Sequence, residues 1–242
     1  MKTKFLSTLA LALAMPVMAP AQSVSEDELR ALVLDTIRQN PEIIMEAIAI
    51  LEQRQADAQA DAAASVLRDN REMLERDPNA PVIGNPDGDI TVVEFFDYNC
   101  PYCRRVMPEL EEVMAADGDI RVVMREWPIL GEDSVFAARA ALAAREQGLY
   151  EPFHLALMAL EGRATPGTVM QVAEEVGLDV AKLRADMDAP AIATHFQASM
   201  ELAQALGFTG TPSFVIGEAL VPGLVEAPEM QELIAETRAA AE

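Results

Sequence analysis

Past residue 80 the chain alternates short apolar runs with stretches whose apolar residues recur at helical spacing. Residues 81–84 predict a short strand, and Asn85-Pro86-Asp87-Gly88 a turn. Residues 90–96, ITVVEFF, are apolar almost throughout, the pattern of a buried strand. RRVMPELEEVMAA then predicts an amphipathic helix over 101–116, and residues 120–126 a second long strand. Helical segments follow at about 132–147, 150–160, 166–176, 179–187 and 190–206, punctuated by Gly162, Gly167 and Gly177. Residues 213–216 and Leu220-Val221 pair as short strands, and 226–241 is a final helix. The order is βαβ, a helical block, then ββα. It predicts an α/β domain over 78–242 with an α-helical insertion at about 130–207.

Residues 22–77 contain no glycine, cysteine or aromatic residue and are rich in Ala, Glu, Gln and Arg. Such a segment forms helices but fills no core alone. Ser25-Glu26-Asp27-Glu28 has the form of a capping box and opens a helix with Leu29, Leu32, Val33 and Ile37 as its apolar positions. Asn40-Pro41 predicts a second start, with Asn at the N-cap and Pro at the first helical position. That helix carries Ile44, Ile48 and Leu51 on one face and extends to about Glu75, before Asp77-Pro78 ends it. Ile37, Ile44 and Leu51 recur every seven residues, the period of a helix–helix seam. The segment is a candidate oligomerisation arm; the alternative is a helix folded back on its own domain.

Residues 1–21 have the form of a secretory signal. Lys2 and Lys4 precede an apolar stretch from Phe5 to Met15, and Ala19-Pro20-Ala21 offers small residues for cleavage before Gln22. The stretch is too short to span a membrane, so no membrane insertion is expected. Export to an oxidising compartment, the periplasm of a Gram-negative cell, follows. The 242-residue chain carries a net charge of −22, and loss of Lys2 and Lys4 takes the exported chain to −24. So acidic a protein is not expected to bind nucleic acid or an anionic membrane through a basic patch.

The only two cysteines stand three apart, in Cys100-Pro101-Tyr102-Cys103, where the first long strand passes into its helix. A Cys-x-x-Cys at a strand-to-helix junction points to thiol–disulfide redox chemistry. Cys100 sits at the helix start, where free N–H groups and the helix dipole favour a thiolate, and Pro101 suits the first helical turn. Cys100 is therefore the expected exposed nucleophile. Cys103, one turn further in, is the expected resolving thiol. A permanent structural disulfide is disfavoured, since so small a ring stabilises little. His154 and His195 both lie in the helical insertion, and their spacing indicates neither a catalytic pair nor a metal site. Met107, Met114, Met124, Met158 and Met170 sit at helical or strand core spacing, so core packing is preferred to metal binding. No cofactor is expected. Tyr98 and Tyr102 are candidates to flank a substrate groove.

VVEFFDYNCPYC, a helical insertion and GTPSFVIG together resemble the DsbA family of periplasmic thiol–disulfide oxidoreductases over about residues 80–242. The resemblance implies a thioredoxin fold with an α-helical insertion, here preceded by an α-helical N-terminal arm. It makes Thr211-Pro212 the cis-proline loop facing the Cys-x-x-Cys, with Thr211 pairing to the substrate backbone. It gives Glu94 the place of a buried acid near the resolving cysteine, able to relay a proton to Cys103. Pro101 and Tyr102 would help bind substrate. The Pro-Tyr dipeptide is that of glutaredoxins, which implies a potential on the order of −200 mV. The arm, with NPEIIMEAI, looks like the ScsC branch, whose members trimerise through such an extension, and threonine before the proline is typical of DsbC and ScsC.

The leading expectation is a protein disulfide isomerase or reductase acting on cysteine-containing secreted proteins. It would be recharged by a membrane redox partner and assembled as a homo-oligomer, with a trimer favoured. A monomeric DsbA-type oxidase is the alternative enzyme. A copper-binding or chaperone protein using the same two soft thiolates is the alternative of another class.

Overall fold

The computed structural model describes residues 25–241. The expected signal segment, 1–21, lies outside them. The chain divides into two compact units between Ala56 and Asp57, within the second helix.

In the first unit, α1 (Glu26–Gln39) opens on the expected capping box. The Ser25 hydroxyl accepts from the Glu28 N–H, and the Glu28 carboxylate accepts from the Ser25 N–H at 3.0 Å. Asn40 behaves differently from its expected role. Its side-chain amide donates to the Thr36 carbonyl at 2.9 Å and so closes α1. The next helix, α2 (Glu42–Arg76), then runs for 35 residues into the second unit.

The second unit is built on a five-stranded sheet in the order β1-β3-β2-β4-β5. Its strands are β1 (Val82–Gly84), β2 (Ile90–Phe96), β3 (Ile120–Glu126), β4 (Ser213–Ile216) and β5 (Ala219–Pro222). Only β2 and β3 run parallel, joined through α3 (Pro101–Ala116). The other pairs are antiparallel. This is the thioredoxin arrangement. Between β3 and β4 lies the helical insertion: α4 (Glu132–Ala144), a 3₁₀ turn (Arg145–Gln147), α5 (Tyr150–Met158), α6 (Pro166–Val176), α7 (Val180–Asp186) and α8 (Pro190–Ala205). The last helix, α9 (Ala227–Ala241), packs beside α3 and against β2 and β4.

Both faces of the sheet are covered. Val93, Phe95, Val123 and Val215 form one core with Leu67 and Leu74 of α2, Leu202 and Ala203 of α8, and Leu206 just after it. Val92, Phe96, Val122 and Met124 face the other core, which takes in Cys103, Val106, Met107 and Leu110 of α3. This double burial explains the nearly unbroken apolar run of ITVVEFF, since neither face needs a polar residue. Met107, Met124, Met158 and Met170 lie in the core as expected, whereas Met45, Met73 and Met200 are exposed.

The end of α2 is fastened by arginines. The last carbonyls of a helix have no partner within it. Here Arg125 of β3 donates to the Met73 and Leu74 carbonyls and pairs with Asp77 at 2.7 Å. Arg121 takes the Glu75 carbonyl at 2.6 Å. Arg145 takes those of Asn79 and Pro78 at 2.6 and 2.9 Å. Among the described residues no helix is long and apolar enough to cross a membrane.

Candidate active site

The strand-to-helix junction sets the two thiols in different surroundings. Cys100 is the N-cap of α3, in extended conformation, and Pro101 follows in the first helical turn. Cys103 is fully buried against the sheet, while Cys100 keeps 4 % of its surface open. The expected exposed nucleophile is thus only just accessible. Tyr102, between them, is 58 % exposed. Both cysteines are free thiols.

The Thr211–Pro212 peptide is cis and lies over Cys100. The Cys100 thiol donates to the Thr211 carbonyl at 3.2 Å. The Cys100 pKa is lowered to about 6, first by the Cys103 thiol as a hydrogen-bond donor, then by the Thr211 side chain and the N–H groups of Cys103 and Tyr102, with burial opposing. Burial pushes the Cys103 thiol far up, and its bond to Cys100 and the nearby Glu94 add to this. The pair is thus polarised: one sulfur is ready to carry charge near neutrality, and its neighbour holds its proton.

Glu94 is 1 % exposed and points to the same side of β2 as Val92 and Phe96, the side covered by α3. Its sheet neighbours are Met124 and Phe214. Neither carboxylate oxygen has a protein hydrogen-bond partner. Burial, with the Cys100 charge adding to it, raises its pKa to about 8.

Several supporting residues escaped the sequence reading. The buried Asp97 carboxylate accepts from the Asn99 N–H at 2.7 Å and the Leu130 N–H at 2.9 Å. It thereby holds the loop before Cys100 to the loop after β3. An Asp two residues before an Asn in a loop is the only local signal for this. Tyr98, expected at a groove, is instead buried at 1 % exposure. Its hydroxyl lies 2.9 Å from His154 Nδ1. Tyr150 stacks on the same imidazole and donates to Glu126 at 2.6 Å, and Glu126 meets His195 at 2.7 Å. Both histidines are therefore packed residues joined through a buried polar chain. Burial lowers the His154 pKa to about 4. Among the described residues no group of three or more His, Cys, Asp or Glu is placed to hold a metal ion.

Residues 91–235 match the DSBA-like thioredoxin domain family, and residues 26–58 match the copper resistance protein ScsC N-terminal domain. The chain belongs to the DsbA-like thioredoxin-fold family. It is 59 % identical to a thioredoxin-like oxidoreductase of Silicibacter pomeroyi, covering 70 % of this chain and 98 % of that one, with a TM-score of 0.69. It is 32 % identical to Proteus mirabilis ScsC in a transitional conformation, covering 89 % of this chain and 97 % of that one, with a TM-score of 0.68. Among curated proteins it is 29 % identical to the Salinispora tropica Na(+)/H(+) antiporter NhaA 3 over 60 % of this chain, but spans only 22 % of that protein's length.

The thiolate of the reduced protein titrates with a midpoint near pH 6, and its ultraviolet absorbance reports it. The folded value lies below the free thiol's 9.0, so ionisation stabilises the reduced fold. That contribution is complete above about pH 9 and is lost as pH falls through about 6. Denaturation of the reduced and oxidised forms across this window measures it. The oxidised form, which has no thiol to titrate, lacks this component.

Proposed function

We propose that the protein is a periplasmic thiol–disulfide oxidoreductase that acts as a disulfide isomerase or reductase, with its catalytic domain carried on an oligomerising arm. The observation that carries the redox reading is the polarised pair at the start of α3. The Cys100 thiolate attacks a substrate disulfide and forms a mixed disulfide while the substrate's departing sulfur leaves as a thiolate and takes up a proton. Cys103 then loses its proton and attacks the Cys100 sulfur, releasing the second substrate sulfur and leaving the Cys100–Cys103 disulfide. Two electrons pass from the protein to the substrate; the oxidised pair runs the same steps in reverse.

Glu94 is assigned as the proton relay for Cys103. It is buried on the Cys103 side of β2 and free of other hydrogen bonds. Thr211, beside the cis peptide, offers backbone groups to an extended substrate chain, with Pro101 and the exposed Tyr102 on the other side. Cysteine-containing secreted proteins are the proposed substrates, and a membrane redox protein the proposed source of reducing or oxidising equivalents.

The arm supports the isomerase reading. Leu29, Leu32, Val33, Ile44, Ile48 and Leu51 stand 42–63 % exposed on α1 and α2, an unusual area of apolar surface for one chain to leave in water. The segment matching the ScsC N-terminal domain covers these same residues. A homo-oligomer, with a trimer favoured, buries them and sets several redox pairs about one substrate. A monomeric DsbA-type oxidase has no use for this surface. The copper reading rests on the two thiolates and on the likeness of residues 26–58 to the copper resistance protein ScsC N-terminal domain.

Glu94→Gln slows resolution of the mixed disulfide by about a hundredfold, as expected for loss of a positioned acid–base group, and leaves its formation unchanged; stopped-flow measurement of the two phases checks this. Because the Glu94 pKa is raised in the fold, its contribution to wild-type stability falls between pH 4.5 and about 8, where the unfolded chain's carboxyl has ionised and the buried one still holds its proton, and levels off above that. The Gln variant loses that decline. Ile44→Asp with Leu51→Asp, made in the whole chain, converts the oligomer to single chains by light scattering. It abolishes repair of scrambled ribonuclease and spares oxidation of the reduced enzyme. A wild-type protein that is monomeric and oxidises without reshuffling establishes the oxidase instead.

A further inference from the structure

We propose that Arg104 is a positioning residue for the redox pair, tying the start of α3 to the turn at 160–164 of the helical insertion and holding a positive charge on the Cys100 side of the site. The inference rests on the thiol–disulfide reading. Arg104 lies one helical turn beyond Cys100, with its backbone N–H on the Cys100 carbonyl at 3.2 Å. Its Nε donates to the Tyr98 carbonyl at 2.8 Å. Its Nη1 donates to the carbonyls of Leu160, at 3.2 Å, and Gly162. One guanidinium thus bridges the loop before the motif and a turn nearly sixty residues away.

Asn99 fastens the same turn from the other side of Cys100. Its Oδ1 accepts from the Ala164 N–H at 2.8 Å, and its Nδ2 donates to the Ala164 carbonyl at 3.3 Å and to Ser134 Oγ at 3.2 Å. Asn99 and Arg104 flank the Cys-x-x-Cys immediately before and after. The turn at 160–164 is therefore held to both ends of the motif.

The partners of Arg104 are carbonyls. They fix the guanidinium but do not cancel its charge, and its buried Nη2 has no protein partner. The charged groups around it are Arg163, Asp97 and Cys100. Burial pulls the Arg104 pKa down and Arg163 adds to this, while Asp97 and the Cys100 sulfur pull it back up. The attraction to Cys100 is mutual, so Arg104 favours the thiolate. The Pro101-Tyr102 dipeptide carries no cation of its own, and Arg104 supplies one from the next turn. The planar fork of arginine reaches several carbonyls at once, which the single ammonium of lysine does not.

The test uses the full chain with Arg104→Gln and Arg104→Lys, checked for folding by circular dichroism. The Gln variant raises the Cys100 ionisation midpoint, as expected for loss of a nearby opposite charge, and reacts more slowly with a small disulfide near pH 6. The Lys variant keeps the charge and restores most of the shift, while the turn at 160–164 becomes more open to protease. Two folded variants that are both less stable, with the Cys100 midpoint unchanged, overturn the proposal and leave Arg104 a structural brace. A second measurement needs no variant. The Arg104 Nε–H resonance of the reduced wild-type protein, followed by nitrogen NMR, moves with the Cys100 midpoint; a resonance that stays flat through that midpoint also overturns the proposal. Failure of the underlying reading shows separately, as a wild-type protein that exchanges with no peptide disulfide at any pH.

Discussion

One constraint organises this molecule: a sulfur has to carry negative charge at the edge of an apolar core while a second sulfur, three residues on, stays neutral inside it. Charge in such a place is costly unless hydrogen-bond donors or dipoles face it. The start of α3 provides them. Cys100 occupies the cap position with no side chain competing for the first free N–H groups, and Cys103 and Thr211 complete the set of donors. Cys103, wholly within the core, has nothing comparable and keeps its proton. The parallel β2–α3–β3 crossover makes this difference possible, because it places the helix start at the end of a central strand and lays the helix body on the sheet.

The rest of the domain keeps that junction fixed. Asp97 joins the loop before Cys100 to the loop after β3, and the buried chain of Tyr98, His154, Tyr150, Glu126 and His195 joins it to the helices of the insertion. Glu94, near the resolving thiol, is a buried carboxylate whose two oxygens both lack a protein hydrogen-bond partner. Native cores seldom tolerate this without a use for it. Burial also raises its pKa to about 8, a perturbation of the kind that clusters at functional sites.

Much of this was legible in the chain before any coordinates. The Cys-x-x-Cys at a strand-to-helix junction, the βαβ and ββα order and the capping box at Ser25 all depend on neighbouring residues, and each appears where local patterning puts it. The position of Glu94 could not be read from alternation, because helices cover both faces of β2 and so both faces are apolar. Tyr98 looked like a surface aromatic because its partner, His154, is 56 residues away. Arg104 reads in sequence as the polar side of an amphipathic helix, and only the return of the chain at 160–164 reveals its partners. The division of α2 at Ala56 was hidden for a related reason. Leu67 and Leu74 belong to a core whose other members lie beyond residue 79, many of them in the sheet and α8, while the Ala-rich helix around them gives no sign of a change.

The central claim is that the two thiols differ in kind, one poised to attack and the other to resolve. The most direct test is covalent trapping by Cys103→Ser and Cys100→Ser with a disulfide-bonded peptide near pH 7, read by intact mass. The account predicts that Cys103→Ser accumulates a stable mixed disulfide through Cys100, while Cys100→Ser accumulates none on the same timescale. Equal trapping by both variants, or trapping only by Cys100→Ser, would contradict it.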